Sequence, residues 1–251
     1  VRSVGARPYT EAVGELMSTL ARGNQDSGHS LLRRNVESGR TVLLVLTSNR
    51  GLCGGYNGNV IRLASQLIRQ LKRSGTHVDI YASGKKSIQY FKFIKQPVTR
   101  IFTEFDDKTR YEQVEKLADE LIEMYIARKI DALVVVYTKF VSAARYYAEV
   151  LLLLPLGEWG RTGPAAKPIS LENYIFSPSA AEIFEELIPA TVRESLYQCF
   201  VDSIVSEQVA RMNAMKAASE NSERMIQALT SHYNRARQSQ ITGELLDIMG
   251  G

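Results

Sequence analysis

From Thr191 to Thr242 the chain has neither glycine nor proline, a run of about fifty residues with no internal helix breaker. Ala, Glu, Gln, Met, Arg, Ser and Asn dominate it. The run reads as one uninterrupted helix. At 1.5 Å per residue it would extend roughly 75–80 Å, more than the width of a small domain, so much of it has to project. A helix of this kind needs something to pack against, because propensity alone stabilises it weakly. Val205, Met212, Met215, Ala218, Met225, Leu229 and Ala236 recur at threes, fours and sevens, which is a discontinuous coiled-coil seam. The seam is thin. Ala210, Ala214, Ala217 and Ala218 keep one stretch narrow, and Ser219 and Ser222 interrupt the apolar pattern. A partner helix is therefore expected, elsewhere in the chain or on another chain.

Ahead of this run the sequence alternates strand and helix. Residues 41–47 (TVLLVLT) and 131–137 (DALVVVY) are short and almost wholly apolar, as strands buried on both faces are. Residues 77–82 (HVDIYA), 98–102 and 149–154 are the other expected strands. Between them, Val60, Leu63, Ala64, Leu67, Ile68 and Leu71 form a helical stripe over 59–73. A short helix is expected at 85–91. Val114, Leu117, Ala118, Leu121, Ile122 and Tyr125 form a further stripe over 111–128. This order predicts an α/β fold with a mostly parallel sheet covered on both faces. Val13, Leu16, Met17 and Leu20 predict one more helix over 1–21, ended by the polar segment 23–30.

Composition excludes several classes. The net charge of +4 is a small excess over many paired charges, without the basic-aromatic clustering that nucleic acid demands. Lys72-Arg73 and Lys85-Lys86 read as solvated helix ends. Cys53 and Cys199 stand alone, and His29, His77 and His232 lie in unrelated segments, so neither a disulfide framework nor a metal site is indicated. The longest apolar run, 150–156 interrupted by Pro155, is far below the roughly 20 residues a bilayer span needs. No direct membrane span is expected, and membrane association would go through a partner.

The segment most suggestive of chemistry is 48–58 (SNRGLCGGYNG), directly between a buried strand and a helix. Nucleotide-binding folds cradle phosphates there, because glycines allow close approach and the helix N-terminus offers free amides. Asp79, about twenty residues on, could mimic a ribose-binding acid. However, the glycines fall at 51, 54, 55 and 58, which is not GxGxxG, and no Gly-Lys-Ser/Thr follows. A structural turn built on Arg50, Gly51, Gly54 and Gly55 is the preferred reading, with a small nucleotide-binding enzyme as the alternative. Cys53 reads as a small half-buried residue rather than a nucleophile. No cofactor is indicated.

Residues 48–57 resemble the glycine-rich signature of the F-type ATP synthase gamma subunit family, which usually has Asp where Asn49 stands. The segments 206–215 (SEQVARMNAM), 233–238 (YNRARQ) and 241–245 (ITGEL) are similar to the family's C-terminal region. Residues 174–178 (YIFSP) resemble its Tyr-x-Tyr/Phe-Glu-Pro, with Ser177 in place of the acid, and residues 6–9 (ARPY) resemble the end of its first helix. The resemblance implies a Rossmann-like sheet domain over 40–178 and a long C-terminal helix over 179–251. Residues 1–21 would be the remnant of the N-terminal coiled-coil helix, some sixty residues of which would precede Val1.

By the same resemblance the chain is a non-catalytic rotor shaft. It would turn within three alpha and three beta subunits, with its base on the proton-driven membrane c-ring, and epsilon and delta subunits would be further partners. Arg237, Gln238, Thr242 and, less centrally, Glu244 would contact the beta subunits. Tyr174 and Phe176 would lie at the ring-facing foot. The location implied is peripheral, on the cytoplasmic face of a bacterial plasma membrane or the matrix side of the mitochondrial inner membrane.

Overall fold

The computed structural model describes residues 30–156 and 180–251, so the expected helix over 1–21 lies outside the described residues. Strands β1 (Arg40–Leu46), β2 (His77–Ser83), β3 (Arg100–Phe102), β4 (Ala132–Ser142) and β5 (Arg145–Leu154) form one sheet. Helices α1 (Tyr56–Arg73), α2 (Lys85–Phe93) and α3 (Tyr111–Ile126) connect them, and α4 (Ala180–Met249) follows. The strand order is β3-β2-β1-β4-β5. β1 runs parallel to both β2 and β4, β2 is parallel to β3, and only β5 is antiparallel. The fold is α/β, a mostly parallel sheet carrying a long C-terminal helix.

Side chains alternating along the central strands feed two cores. Val42, Leu44, Leu46, Leu133, Val135 and Tyr137 face α3 and the first half of α4. Leu43, Val45, Val134 and Val136 face α1 and α2. This explains why 41–47 and 131–137 carry apolar residues at nearly every position: neither face is wet. A fully buried Val or Leu is worth about 1.5–3 kcal/mol, so these two strands anchor the sheet.

Two departures from the sequence-based elements have physical causes. β4 and β5 form a hairpin through Ala143-Ala144 and extend well beyond the expected 131–137 and 149–154. Two alanines carry none of the Asn-Gly chemistry that marks a tight turn, so the hairpin is silent in sequence. The long helix also exceeds the breaker-free run from Thr191 to Thr242, covering 70 residues with Pro189 inside it and running through Gly243. Pro189 removes one i→i−4 bond, but the orphaned carbonyl belongs to Glu185, which is exposed to water. Gly243 is exposed with open space around its α-carbon and costs about 1 kcal/mol against alanine.

The burial of α4 falls into two halves. Ile188, Val192, Leu196, Cys199, Ser203, Ser206 and Ala210 are buried at helical spacing, against α3 and β4. From Met215 to Gly251 every residue is exposed. At 1.5 Å per residue the whole helix is about 105 Å long, so its second half stands clear of the sheet as the run from Thr191 predicts.

Candidate functional site

Strand order reverses between β1 and β4, and in open α/β sheets the crevice beyond the carboxyl ends of such strands is where ligands bind. The glycine turn 48–55 sits at that point. Its first residue, Ser48, is buried, and Asn57 on the opening turn of α1 reaches back to it. Asn57 Oδ1 accepts from the Ser48 amide at 2.9 Å, and Asn57 Nδ2 donates to Ser48 Oγ at 2.8 Å and to Cys53 Sγ at 3.0 Å. Leu52 and Gly54 have left-handed backbone, with φ of 62° and 56°. That conformation is cheap for the glycine and strained for the exposed leucine. Arg50 is exposed at the turn's rim, and Gly55 is the residue preceding α1.

What fills the crevice is α4. Cys53, Tyr56 and Ala210 form a buried cluster with Tyr146 of β5 packed against it. The Tyr56 hydroxyl donates to the Ser203 carbonyl at 3.0 Å. Ser206 Oγ lies 3.5 Å from the Thr138 carbonyl, and Arg211 Nε donates to the Gly51 carbonyl at 3.4 Å. A β-carbon built on Gly54 would sit 3.9 Å from Ala214 Cβ. That is an ordinary van der Waals distance, so the turn and the helix leave room for one methyl group between Gly54 and Ala214. Glu207, whose carboxyl burial pushes above its ordinary range while the Arg211 hydrogen bond pulls it back, pairs with Arg211 at 2.6 Å.

Beside this contact is a cavity of ≈ 270 Å³ at the carboxyl ends of β1 and β2, bordered by Asn49, Lys85, Ser203, Glu207 and Arg211. It falls below the roughly 300–1,000 Å³ typical of ligand sites. Asp79 is not near it. β2 begins at His77, so Asp79 lies toward the amino end of the sheet, opposite the glycine turn. There it accepts two hydrogen bonds from Arg40, at 3.0 and 2.8 Å, and one from Thr99. The ribose-binding comparison therefore fails for Asp79, because counting residues from the glycine turn does not reveal where along β2 the acid falls.

Of the expected contact residues, Gln238 and Thr242 are brought together, since Thr242 Oγ1 donates to the Gln238 carbonyl at 2.8 Å. Arg237 and Glu244, seven residues apart, share a second face about 120° away at 100° per residue. Gln240 donates to Glu244 at 3.0 Å. All four are exposed, on the free half of α4. Tyr174 and Phe176 lie outside the described residues. Tyr56, Ser203 and Arg211 had no assigned role in the sequence reading. The available signal was Ala210 and Ala214, small residues on the side of the helix that lies beside the glycine turn.

Comparison with known proteins gives a consistent set of relatives. A family model described as ATP synthase matches residues 2–251. The ATP synthase gamma chain of Rhodopirellula baltica is 44% identical over 253 residues, covering 100% of this chain and 86% of that protein. The ATP synthase gamma chain of Desulforudis audaxviator is 37% identical, covering 99% and 85%. Among solved structures, a Euglena gracilis mitochondrial ATP synthase chain matches with a TM-score of 0.57 at 18% identity, over 99% of this chain and 90% of that one. A chain from the Tetrahymena thermophila mitochondrial ATP synthase central stalk and c-ring matches with a TM-score of 0.54 at 17% identity, over 87% and 100%. At these identities the two structures speak for the fold.

Proposed function

The chain belongs to the ATP synthase gamma chain family, a non-catalytic central-stalk rotor subunit, and we propose that α4 is the shaft by which it works. The observation that carries this reading is the bare half of α4. Met215, Ile226, Leu229, Tyr233 and Ile248 lie exposed along one side of the stretch from Met215 onward, all of which is exposed. Burying such a stripe requires a protein surface around it.

On this reading the chain divides into a remnant of an N-terminal coiled-coil helix (1–21), a base (40–178) and a shaft (179–251). The shaft enters a ring of three alpha and three beta subunits. Arg237 and Glu244 on one face and Gln238 and Thr242 on another would meet different beta subunits at one rotor angle. Charge-assisted hydrogen bonds suit that task, because they depend on geometry and release when the geometry changes. Tyr174 and Phe176 would face the c-ring, with epsilon and delta subunits as further partners. No described helix is long and apolar enough to cross a membrane. We therefore place the subunit peripherally, and its bacterial relatives favour the cytoplasmic face of the plasma membrane over the mitochondrial matrix side.

The test is reconstitution of the full-length protein with alpha and beta subunits and a membrane sector in sealed vesicles. Proton-driven ATP synthesis that requires this chain is expected. A chain that assembles with neither alpha nor beta subunits would remove the reading.

A further inference from the structure

The crevice in which this fold class holds ligands is occupied here by a helix of the same chain, and the contacts are spaced along one short stretch of it. Ser203, Ser206, Ala210, Arg211 and Ala214 meet Tyr56, Thr138, Tyr146, Gly51 and Gly54. That stretch covers about 16 Å of helix axis. It is the last place where α4 touches the sheet, because everything from Met215 onward is exposed. Twisting load on the exposed half of α4 therefore reaches the base first through this stretch.

The contacts come from elements that approach α4 differently. Tyr56 stands on the first turn of α1, Thr138 on β4, Tyr146 on β5, and Gly51 and Gly54 on the glycine turn. The Tyr56 ring is buried, and its hydroxyl bonds a carbonyl that already serves the helix ladder. Rotation of α4 about its axis would break that bond and pull Ala210 from the Cys53 and Tyr56 side chains it packs against. An apolar contact alone would allow the helix to roll; a directional hydrogen bond beside a close-packed alanine does not.

We infer that the Tyr56–Ser203 hydrogen bond and the packing of Ala210 against Cys53 and Tyr56 form a torsional lock that fixes the shaft's angle on the base. Tyr56 is thus a positioning residue for rotary coupling. The inference rests on α4 being the shaft.

The test uses the full-length protein in the assembled enzyme in vesicles. Tyr56→Phe keeps the buried ring and removes only the hydroxyl. Amide exchange over 203–214 is expected to rise about threefold to tenfold, the population change that follows loss of one buried hydrogen bond. Proton-driven ATP synthesis should fall while ATP hydrolysis by the same preparation keeps its rate. A second variant adds Gly54→Cys and Ala214→Cys, whose β-carbons at 3.9 Å have the separation a disulfide needs. Oxidation of that pair should restore synthesis in the Tyr56→Phe enzyme, and reduction should abolish the rescue. Unchanged exchange, raised exchange with unchanged synthesis, or a confirmed 54–214 crosslink that rescues nothing would each overturn the lock. Failure of the unsubstituted protein to support synthesis in the same vesicles would instead overturn the shaft reading, and the lock with it.

Discussion

Gly84 passes so close to Thr47 that a β-carbon on it would stand 2.0 Å from the Thr47 carbonyl oxygen. The two residues join the carboxyl ends of β1 and β2: the Thr47 amide donates to Ser83 at 2.9 Å, and the Ser87 amide donates to Thr47 Oγ1 at 3.0 Å. Gly84 also has a φ of 91°, which disfavours any other residue. Gly84→Ala is expected to cost at least about 3 kcal/mol, from the clash and the strain together. Urea unfolding reads this directly, and a midpoint within error of the parent would refute the packing described.

Asn49 bridges three backbone groups. Its Nδ2 donates to the Thr103 and Phe105 carbonyls at 3.2 and 3.3 Å, and its Oδ1 accepts from the Lys85 amide at 3.2 Å. Asn49→Asp would set an acceptor against two carbonyls. Although the family usually has Asp at this point, the substitution is expected to destabilise this chain by about 1–2 kcal/mol. Equal or greater thermal stability of the variant would show that the bridge is dispensable.

Asp131 fixes the segment entering β1. Burial alone would raise its carboxyl, but hydrogen bonds from the Ser38 amide and hydroxyl and from the Gly39 amide outweigh burial and hold it below its ordinary value of 3.8. A carboxyl depressed in the folded state stabilises fully above its ordinary value, and the benefit fades as pH falls below that toward the lowered one. Asp131→Asn should therefore lose about 1 kcal/mol at neutral pH, a modest figure because the site is partly exposed. The gap between parent and variant should close as pH drops below 3.8. A gap independent of pH would assign the effect to shape rather than charge.

Arg237→Ala with Gln238→Ala tests the proposed beta-subunit contacts. Both side chains are exposed, so the unfolding midpoint should stay within about 0.5 kcal/mol of the parent. Coupled synthesis should fall on the order of tenfold to a hundredfold, the worth of one charge-assisted hydrogen bond of about 1.5–3 kcal/mol. Full synthesis by the double variant would withdraw the assignment.

The sheet was largely legible because its two central strands are wet on neither face, leaving 41–47 and 131–137 as unmistakable apolar blocks. The projecting helix was legible from the absence of any breaker between Thr191 and Thr242. Its passage through Pro189 and Gly243 was not, since each residue signals a stop whose cost the surrounding helix absorbs. The candidate site was legible only in part. The glycine turn stood out, but its occupant did not: Tyr56 and Ser203 are 147 positions apart, and neither residue type signals the other. Asp79 was misplaced because sequence distance does not say at which end of a strand a residue falls.

A rod held at one end magnifies every looseness in its socket. The packed stretch of α4 runs about 39 Å, from Ile188 to Ala214, while the unsupported length from Ala214 to Met249 is about 53 Å. Half an ångström of play across that stretch would swing the far tip by about 0.7 Å, enough to lengthen a hydrogen bond there beyond its useful range. Long flexible side chains could not keep the clearance that small. Small buried side chains at its outer edge, Ala210 against Cys53 and Tyr56, keep the seat of so long a lever tight.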